Sequence, residues 1–390
     1  MNISRVAFVV QRYGIEVSGG AELHARLVAE RMKKYWEIEV LTSCALDYIT
    51  WKNHYKEGVE EINGILVRRF PVKRERNIER FGKVQERIFG REHKDEDEIE
   101  WVKENGPYYP QLIDWIKENK RKFDFFIFFS YRYFHSYFGI NAVPEKSILV
   151  PTAEHDPALY LRIFRENFCK VKGILYNSFE ECELIQNISK NYAVPFEIVG
   201  VGADVVKGEP SRFREKFGIK EKFIIYIGRI DENKGCKELF DYYLRFLNET
   251  NEKIRLVLIG TPVISIPSHP FIIHLGFVSD QDKFDALSAS ELLVMPSFYE
   301  SLSIVTLEAF AVGKPVLANG NCEVLRGQIE RSNGGLYYEN YEEFRESLLF
   351  LLREKEIAEG MGKNGEKYFK ENYSWDVIEG KYLRLLERIQ

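Results

Sequence analysis

Short apolar runs and helix-spaced apolar positions alternate along this chain. Residues 5–10, Arg5-Val6-Ala7-Phe8-Val9-Val10, have the length and continuity of a buried strand. A loop then reaches Ser18-Gly19-Gly20. Leu23, Leu27, Val28 and Met32 follow at the spacing of a helix that is apolar on one side. Ile38-Glu39-Val40-Leu41 reads as the next strand. Strand, helix and strand in this order predict a parallel sheet, because parallel neighbours need a long crossover between them. Strand signals return at Phe125-Phe126-Ile127-Phe128-Phe129, at 147–150 and at 173–176. Glycines at 200 and 202 loosen the chain and place an expected domain boundary there.

The second half keeps the same rhythm. Phe223-Ile224-Ile225-Tyr226-Ile227 leads through a loop at 228–235 to a helix with Leu239, Tyr243, Phe246 and Leu247 on one face. Strands are expected at 254–259, 272–275, Leu292-Leu293-Val294-Met295 and 315–318, with a helix near 281–288. A further helix follows the loop 297–303, with Gly313 at its C-terminal end. The tail from about 341 is helical. The pattern predicts two Rossmann-like α/β domains facing a central cleft: 1–200, completed by a helix at about 374–390, and 201–373. Open parallel sheets bind ligands outside the carboxyl ends of their strands.

Residues 75–122 break the rhythm. They are polar, helix-favouring and segregated in charge. Nine basic residues stand against three acidic ones over 68–91, and 92–104 is largely acidic. Ile78, Phe81, Val84 and Ile88 fall at helix spacing with basic residues between them. Such a helix could pack on its own domain and pair with the acidic run, or rest on anionic lipid.

Composition narrows the function. A chain of 390 residues with 45% hydrophobic and 29% charged residues is globular, and a net charge of -5 gives no general pull towards nucleic acid. Cys44, Cys169, Cys182, Cys236 and Cys322 are scattered and form no Cys-x-x-Cys, which argues against a disulfide framework or a zinc site. No run approaches the length of a membrane span, and no signal peptide is visible. The expected location is cytoplasmic, with peripheral contact at the inner membrane face as the variant that the basic segment allows.

Three turns look built for anions. Arg229 and Lys234, in Gly228-Arg229-Ile230-Asp231-Glu232-Asn233-Lys234-Gly235, could both reach a diphosphate near a helix N-terminus. Two surface cations are the plain alternative. Glu300 and Glu308 lie eight apart across a loop and a helix start, where the amides of 302–305 could face a sugar and its phosphate. A helix-terminal charge plus a solvent-facing glutamate would explain the same spacing. Gly19 and Gly20 permit close backbone approach at the first turn, or simply make it tight. His155, in Thr152-Ala153-Glu154-His155-Asp156, follows a strand and could touch a sugar hydroxyl. Asp95-Glu96-Asp97 is an Asp-x-Asp, and it sits inside a run of charges that reads as a solvated helix face.

These residues together resemble glycosyltransferase family 4, the retaining enzymes of GT-B fold. The resemblance runs through Gly19-Gly20, His155-Asp156, Gly228-Arg229 with Lys234, and Glu300 with Glu308, followed by Ala309-Phe310-Ala311-Val312-Gly313-Lys314-Pro315-Val316. It is strongest over 223–340. It implies that Arg229 and Lys234 hold the diphosphate, Glu300 and His155 contact the donor sugar, and Glu308 binds the ribose. Gly19, Gly20, Gly228, Ser301, Leu302, Ser303 and Ile304 would line the donor, and Gly276-Phe277-Val278 would meet the base. Many members carry Gly-Phe-Gly where this chain has Ser301-Leu302-Ser303, and a proline where it has Val305. The implied reaction moves a sugar from a nucleotide-sugar donor to a glycan or lipid-linked acceptor, with no metal and no further cofactor. A non-catalytic nucleotide-sugar binding protein is the alternative. A glycoside hydrolase using Glu300 and Glu308 as acid and base is a weaker one, having no use for the two cations.

Overall fold

A computed structural model describes residues 3–17 and 19–390. The chain divides into two compact units, 1–202 with 378–390 and 203–377.

The first unit is built on an eight-stranded sheet. Its strands are β1 (Arg5–Val9), β2 (Glu37–Ser43), β3 (Gly58–Ile62), β4 (Ile65–Phe70), β5 (Phe125–Phe129), β6 (Ser147–Val150), β7 (Gly173–Tyr176) and β8 (Phe196–Ile198). The order is β3-β4-β2-β1-β5-β6-β7-β8. All neighbours are parallel except the β3/β4 hairpin, which turns on Asn63 and Gly64 at φ 51° and 77°. Positive φ at both central residues is what a two-residue hairpin turn requires, and Asn-Gly supplies it at little cost. β1 and β5 are continuous apolar runs because both of their faces are covered.

Helices α1 (Gly20–Met32), α2 (Ile78–Gly90), α3 (Asp95–Asn105), α4 (Pro110–Asn119), α5 (Phe134–Ala142), α6 (Arg162–Lys170) and α7 (Phe179–Ser189) belong to this unit. The inward face of α1 carries Glu22 and His24 as well as Val28 and Met32, while Leu23 and Leu27 stay half-buried. α2 turns Val84 and Ile88 into the core and sets Phe81 6.0 Å from the Trp101 ring. Its basic residues meet the acidic ones of α3: Arg80 lies 3.0 Å from Glu104 and Arg87 2.6 Å from Glu100. Two oppositely charged helices lying side by side thus account for the charge segregation. Arg68 and Arg69 of the same basic segment pair with Glu39 and Glu60. Asp95 and Asp97 sit in the first turn of α3, where the helix dipole favours carboxylates.

The second unit has a six-stranded parallel sheet. Its strands are β9 (Phe223–Ile227), β10 (Arg255–Ile259), β11 (Ile272–Gly276), β12 (Leu293–Met295), β13 (Val316–Asn319) and β14 (Gly335–Tyr338), in the order β11-β10-β9-β12-β13-β14. Its helices are α8 (Pro210–Phe217), α9 (Cys236–Thr250), α10 (Asp280–Ala289), α11 (Ile304–Ala311), α12 (Glu323–Ser332), α13 (Tyr341–Arg353) and α14 (Lys355–Asn372). The last helix, α15 (Trp375–Arg388), begins in this unit and continues into the first. Numbering the six strands from β9 gives 3-2-1-4-5-6, so the order reverses between β9 and β12. That is the point where such sheets open to ligands. Among the described residues no helix is long and apolar enough to cross a membrane, all five cysteines are free, and no group of three or more His, Cys, Asp or Glu could hold a metal ion.

Candidate functional site

The loop after β9 is shaped by an aspartate and a glycine. Asp231 is buried. One carboxylate oxygen accepts the Lys234 amide at 2.7 Å, and the other pairs with Arg229 Nε. Gly235 sits at φ 69°, and a Cβ there would lie 1.9 Å from the carbonyl oxygen of Pro296. Only glycine allows both the left-handed turn and the close approach. The loop after β9 is therefore held against the loop after β12. Across that contact Lys234 Nζ donates to Glu300 Oε1 at 2.7 Å. The pair spans the β9/β12 switch point, and both groups keep some exposure to water.

The loop after β12 turns sharply into α11. Leu302 is buried, and its carbonyl accepts a hydrogen bond from Gln328 Nε2 of α12. Ser303 takes φ 63°, a left-handed conformation where glycine would be unstrained. Its hydroxyl lies 2.9 Å from Thr306 Oγ1 and makes no cap bond to the first turn of α11. The N-cap of α9, Gly235, likewise has no side chain to offer. Two helix starts without side-chain caps thus follow directly on Lys234 and on Ser301-Leu302-Ser303, with Ile304 opening the second. Backbone N–H groups in this state favour an anion.

Glu308 lies one turn further along α11. It is buried, not solvent-facing, and accepts from Lys283 Nζ of α10 at 2.6 Å. Lys283 Nζ is also 3.2 Å from Asp280. Burial pushes the Glu308 carboxyl above its ordinary range, and the Lys283 charge offsets part of that. Burial alone would lower the Lys283 ammonium; attraction to Glu308 and Asp280 outweighs it, so the net direction is up. The chain leaves β11 through Gly276 at φ 71°. Phe277 then stands 89% exposed, and Val278 is half-buried. Gly228, at φ 152°, begins the loop after β9.

In the first unit, Gly19 and Gly20 lead into α1; Ser18 lies outside the described residues. Beneath them Arg12 and Glu22 form a buried ion pair at 2.6 Å. A Cβ on Gly19 would meet Glu22 Oε2 at 2.2 Å, whereas one on Gly20 would meet nothing within 4 Å. His155 is exposed, with Nδ1 2.9 Å from the Tyr160 hydroxyl. Its loop is tied down on three sides. Glu181 accepts the Ala153 amide at 2.5 Å, Tyr131 and Arg132 donate to Asp156 at 3.0 and 2.9 Å, and Ser130 Oγ lies 2.8 Å from Thr152 Oγ1. Glu181 is wholly buried, and burial pushes its carboxyl up to about 8 even though it also accepts from the Asn177 amide.

Arg229, Lys234 and Glu300 therefore converge at one switch point, and Glu308 is joined to Lys283. Gly19 and Gly20 at the start of α1, and His155 in a loop, belong to the other unit. Reading the sequence missed Asp231, Lys283, Gln328 and Glu181. For Asp231 a signal existed, an aspartate three residues before Lys234 in a turn. For Glu181 the signal was Ser178-x-x-Glu181 at the start of α7, where its carboxylate accepts from the Asn177 amide. Lys283 and Gln328 reach residues of distant segments and leave no such mark.

The second unit holds the whole of a recognisable family segment. Residues 209–368 match the family model of glycosyl transferases, group 1. The segment includes Arg229, Lys234, Glu300 and Glu308. An uncharacterised glycosyltransferase of Methanocaldococcus jannaschii is 28% identical over 185 residues, which are 44% of this chain and 46% of that one. The chain spans about half the length of the curated relatives it matches. Whole-chain likeness appears in solved structures. Sucrose-phosphate synthase of Thermosynechococcus elongatus superposes with TM-score 0.72 at 16% identity, covering 99% of each chain. The Anabaena HepE protein, solved in complex with UDP-glucose, gives 0.71 at 14% identity, covering 98% of this chain and 99% of that one. The fold is GT-B, with two Rossmann-like α/β units.

Proposed function

We propose that this chain is a retaining glycosyltransferase that moves a sugar from a nucleoside-diphosphate sugar to a glycan or lipid-linked acceptor without a metal ion. The observation that carries the reading is the Lys234–Glu300 contact across the β9/β12 switch point, beside two helix starts that lack side-chain caps. As the anomeric bond breaks, negative charge grows on the departing diphosphate. Arg229, Lys234 and the free amides of Ile304 and its neighbours would receive it. Glu300 would accept from donor-sugar hydroxyls, Glu308 from the ribose, and His155 would touch the sugar. Gly19, Gly20, Gly228, Phe277, Val278, Ser301, Leu302 and Ser303 complete the donor contacts in this reading. The acceptor attacks on the face the leaving group departs from, so no enzyme nucleophile is needed. The two cations take the charge a metal would otherwise carry.

Each of the two carboxylates has a lysine partner from a distant segment, Glu300 with Lys234 and Glu308 with Lys283. That disfavours a hydrolase in which one of them delivers a proton. The paired charges on α2 and α3 support a helix packed on its own unit rather than one laid on lipid. A thermal-shift screen across UDP, GDP, ADP, CDP, TDP and their sugars tests the reading, followed by transfer assays with the stabilising donor. Selective stabilisation and sugar transfer are expected, with full activity retained in EDTA. Donor binding without transfer or hydrolysis would instead identify a binding protein, and strict metal dependence would overturn the charge assignment.

A further inference from the structure

We propose that Lys283 is a positioning residue for the ribose of the donor, acting through Glu308; this rests on the nucleotide-sugar reading of the second unit. Glu308 Oε1 accepts from Lys283 Nζ at 2.6 Å, and among the described residues nothing donates to Oε2. An ionised carboxylate has about four lone-pair sites. One lysine bond fixes the carboxylate plane and leaves sites on both oxygens for two vicinal hydroxyls. Asp280, on the same helix as Lys283, holds the ammonium from a second side at 3.2 Å, and the ammonium lies 5.0 Å from the centre of the Phe284 ring. Lys283 lies in the first turn of α10, just after the tip formed by exposed Phe277 and half-buried Val278, so α10 ties the loop expected at the base to the glutamate expected at the ribose.

The chemistry explains why a cation belongs there. The Glu308 side chain is 9% exposed and that of Lys283 19%. A carboxyl so buried drifts towards its neutral form, in which one oxygen carries a proton and accepts poorly. Lys283 favours the ionised form, which alone can accept from both ribose hydroxyls. A lysine that merely braced α10 against α11 would affect stability but would not distinguish one nucleotide sugar moiety from another.

The discriminating measurement is calorimetric titration with UDP, GDP and ADP and with the 2′,3′-dideoxy counterpart of each. The wild type is expected to prefer the ribonucleotide it binds by at least about tenfold, on the order of one charge-assisted hydrogen bond. Lys283→Met should lose most of that preference, chiefly by weakening ribonucleotide binding, and Lys283→Arg should retain it. Should Lys283→Met fail to fold, loss of preference in Lys283→Gln is the equivalent result. A preference unchanged in folded Met or Gln variants overturns the role of Lys283 while leaving the nucleotide reading intact. A wild type that binds none of the nucleotides overturns both.

Discussion

At the scale of single residues, Lys234 carries the most specific expectation. Its ammonium bonds Glu300 but remains about one-third exposed, so the pair contributes little to folding. Its expected contribution is to a charge that exists only as the donor breaks. Lys234→Ala should therefore lower kcat by roughly 10²–10³, the loss typical of one preorganised donor to a developing anion. Its melting temperature should stay near that of the wild type. A turnover close to wild type would remove the phosphate role. Arg229 is likewise held, its Nε by Asp231, so both cations are oriented before any ligand arrives. The site residues read from the sequence were those with a local mark: cations in a strand-to-helix turn, and glutamates around a helix start. The partners that orient them were invisible. Glu300 lies 66 positions from Lys234 and Glu308 25 from Lys283, and no local pattern links residues so far apart.

At the scale of elements, the loops after β9 and β12 behave as one device. Gly235→Ala would force a β-carbon into the Pro296 carbonyl and into a left-handed backbone. The conformational part alone costs about 1–2 kcal/mol, and the clash adds to it. A lowered melting temperature is expected, with donor affinity lost as the two loops separate. Gly20→Ala is the contrast, because open space surrounds that position; its melting temperature should barely move. Equal stability of the two variants would refute the packing argument. Helices and strands were largely legible because their hydrophobic periods are local. The β3/β4 hairpin was not read, although Asn63-Gly64 advertises it. The short strands β8 and β14 are half-buried over all or part of their length and so lack the continuously buried apolar run that marks the comparably short β6 and β7.

At the scale of the whole molecule, three buried titratable groups make stability depend on pH. Burial lowers His24 to about 3 and His135 to about 4 from an ordinary 6.5. In the folded protein they stay neutral where the unfolded chain binds protons, so stability falls as pH drops from about 6.5 towards 4. Glu181 runs the other way. Its folded value of about 8 lies above the ordinary 4.5, so the folded state keeps a proton that the unfolded chain releases. Its contribution is complete below 4.5 and is lost as pH rises to 8. The two histidines tilt stability upwards with pH below 6.5; Glu181 tilts it downwards between 4.5 and 8, and Glu308 and Glu238, also raised by burial, add to that downward tilt above 4.5. Urea unfolding at pH 5, 6.5 and 8 should place the maximum near 6.5. Glu181→Gln should flatten the alkaline limb, and His24→Gln should weaken the acid one. A monotonic profile across this range would contradict the burial assignments.

The order of apolar and polar residues by itself determined the alternation of strands and helices, the parallel character of the sheets and the turns rich in anion-seeking groups, because each depends on neighbours a few positions apart. Which turns meet was decided only by the tertiary structure. Lys234 reaches Glu300 because β12 lies beside β9, and Glu308 is paired with Lys283 because the fold brings the first turn of α10 within side-chain reach of α11. Strand order and burial follow from the packing energy of the whole domain, which no short stretch of sequence contains.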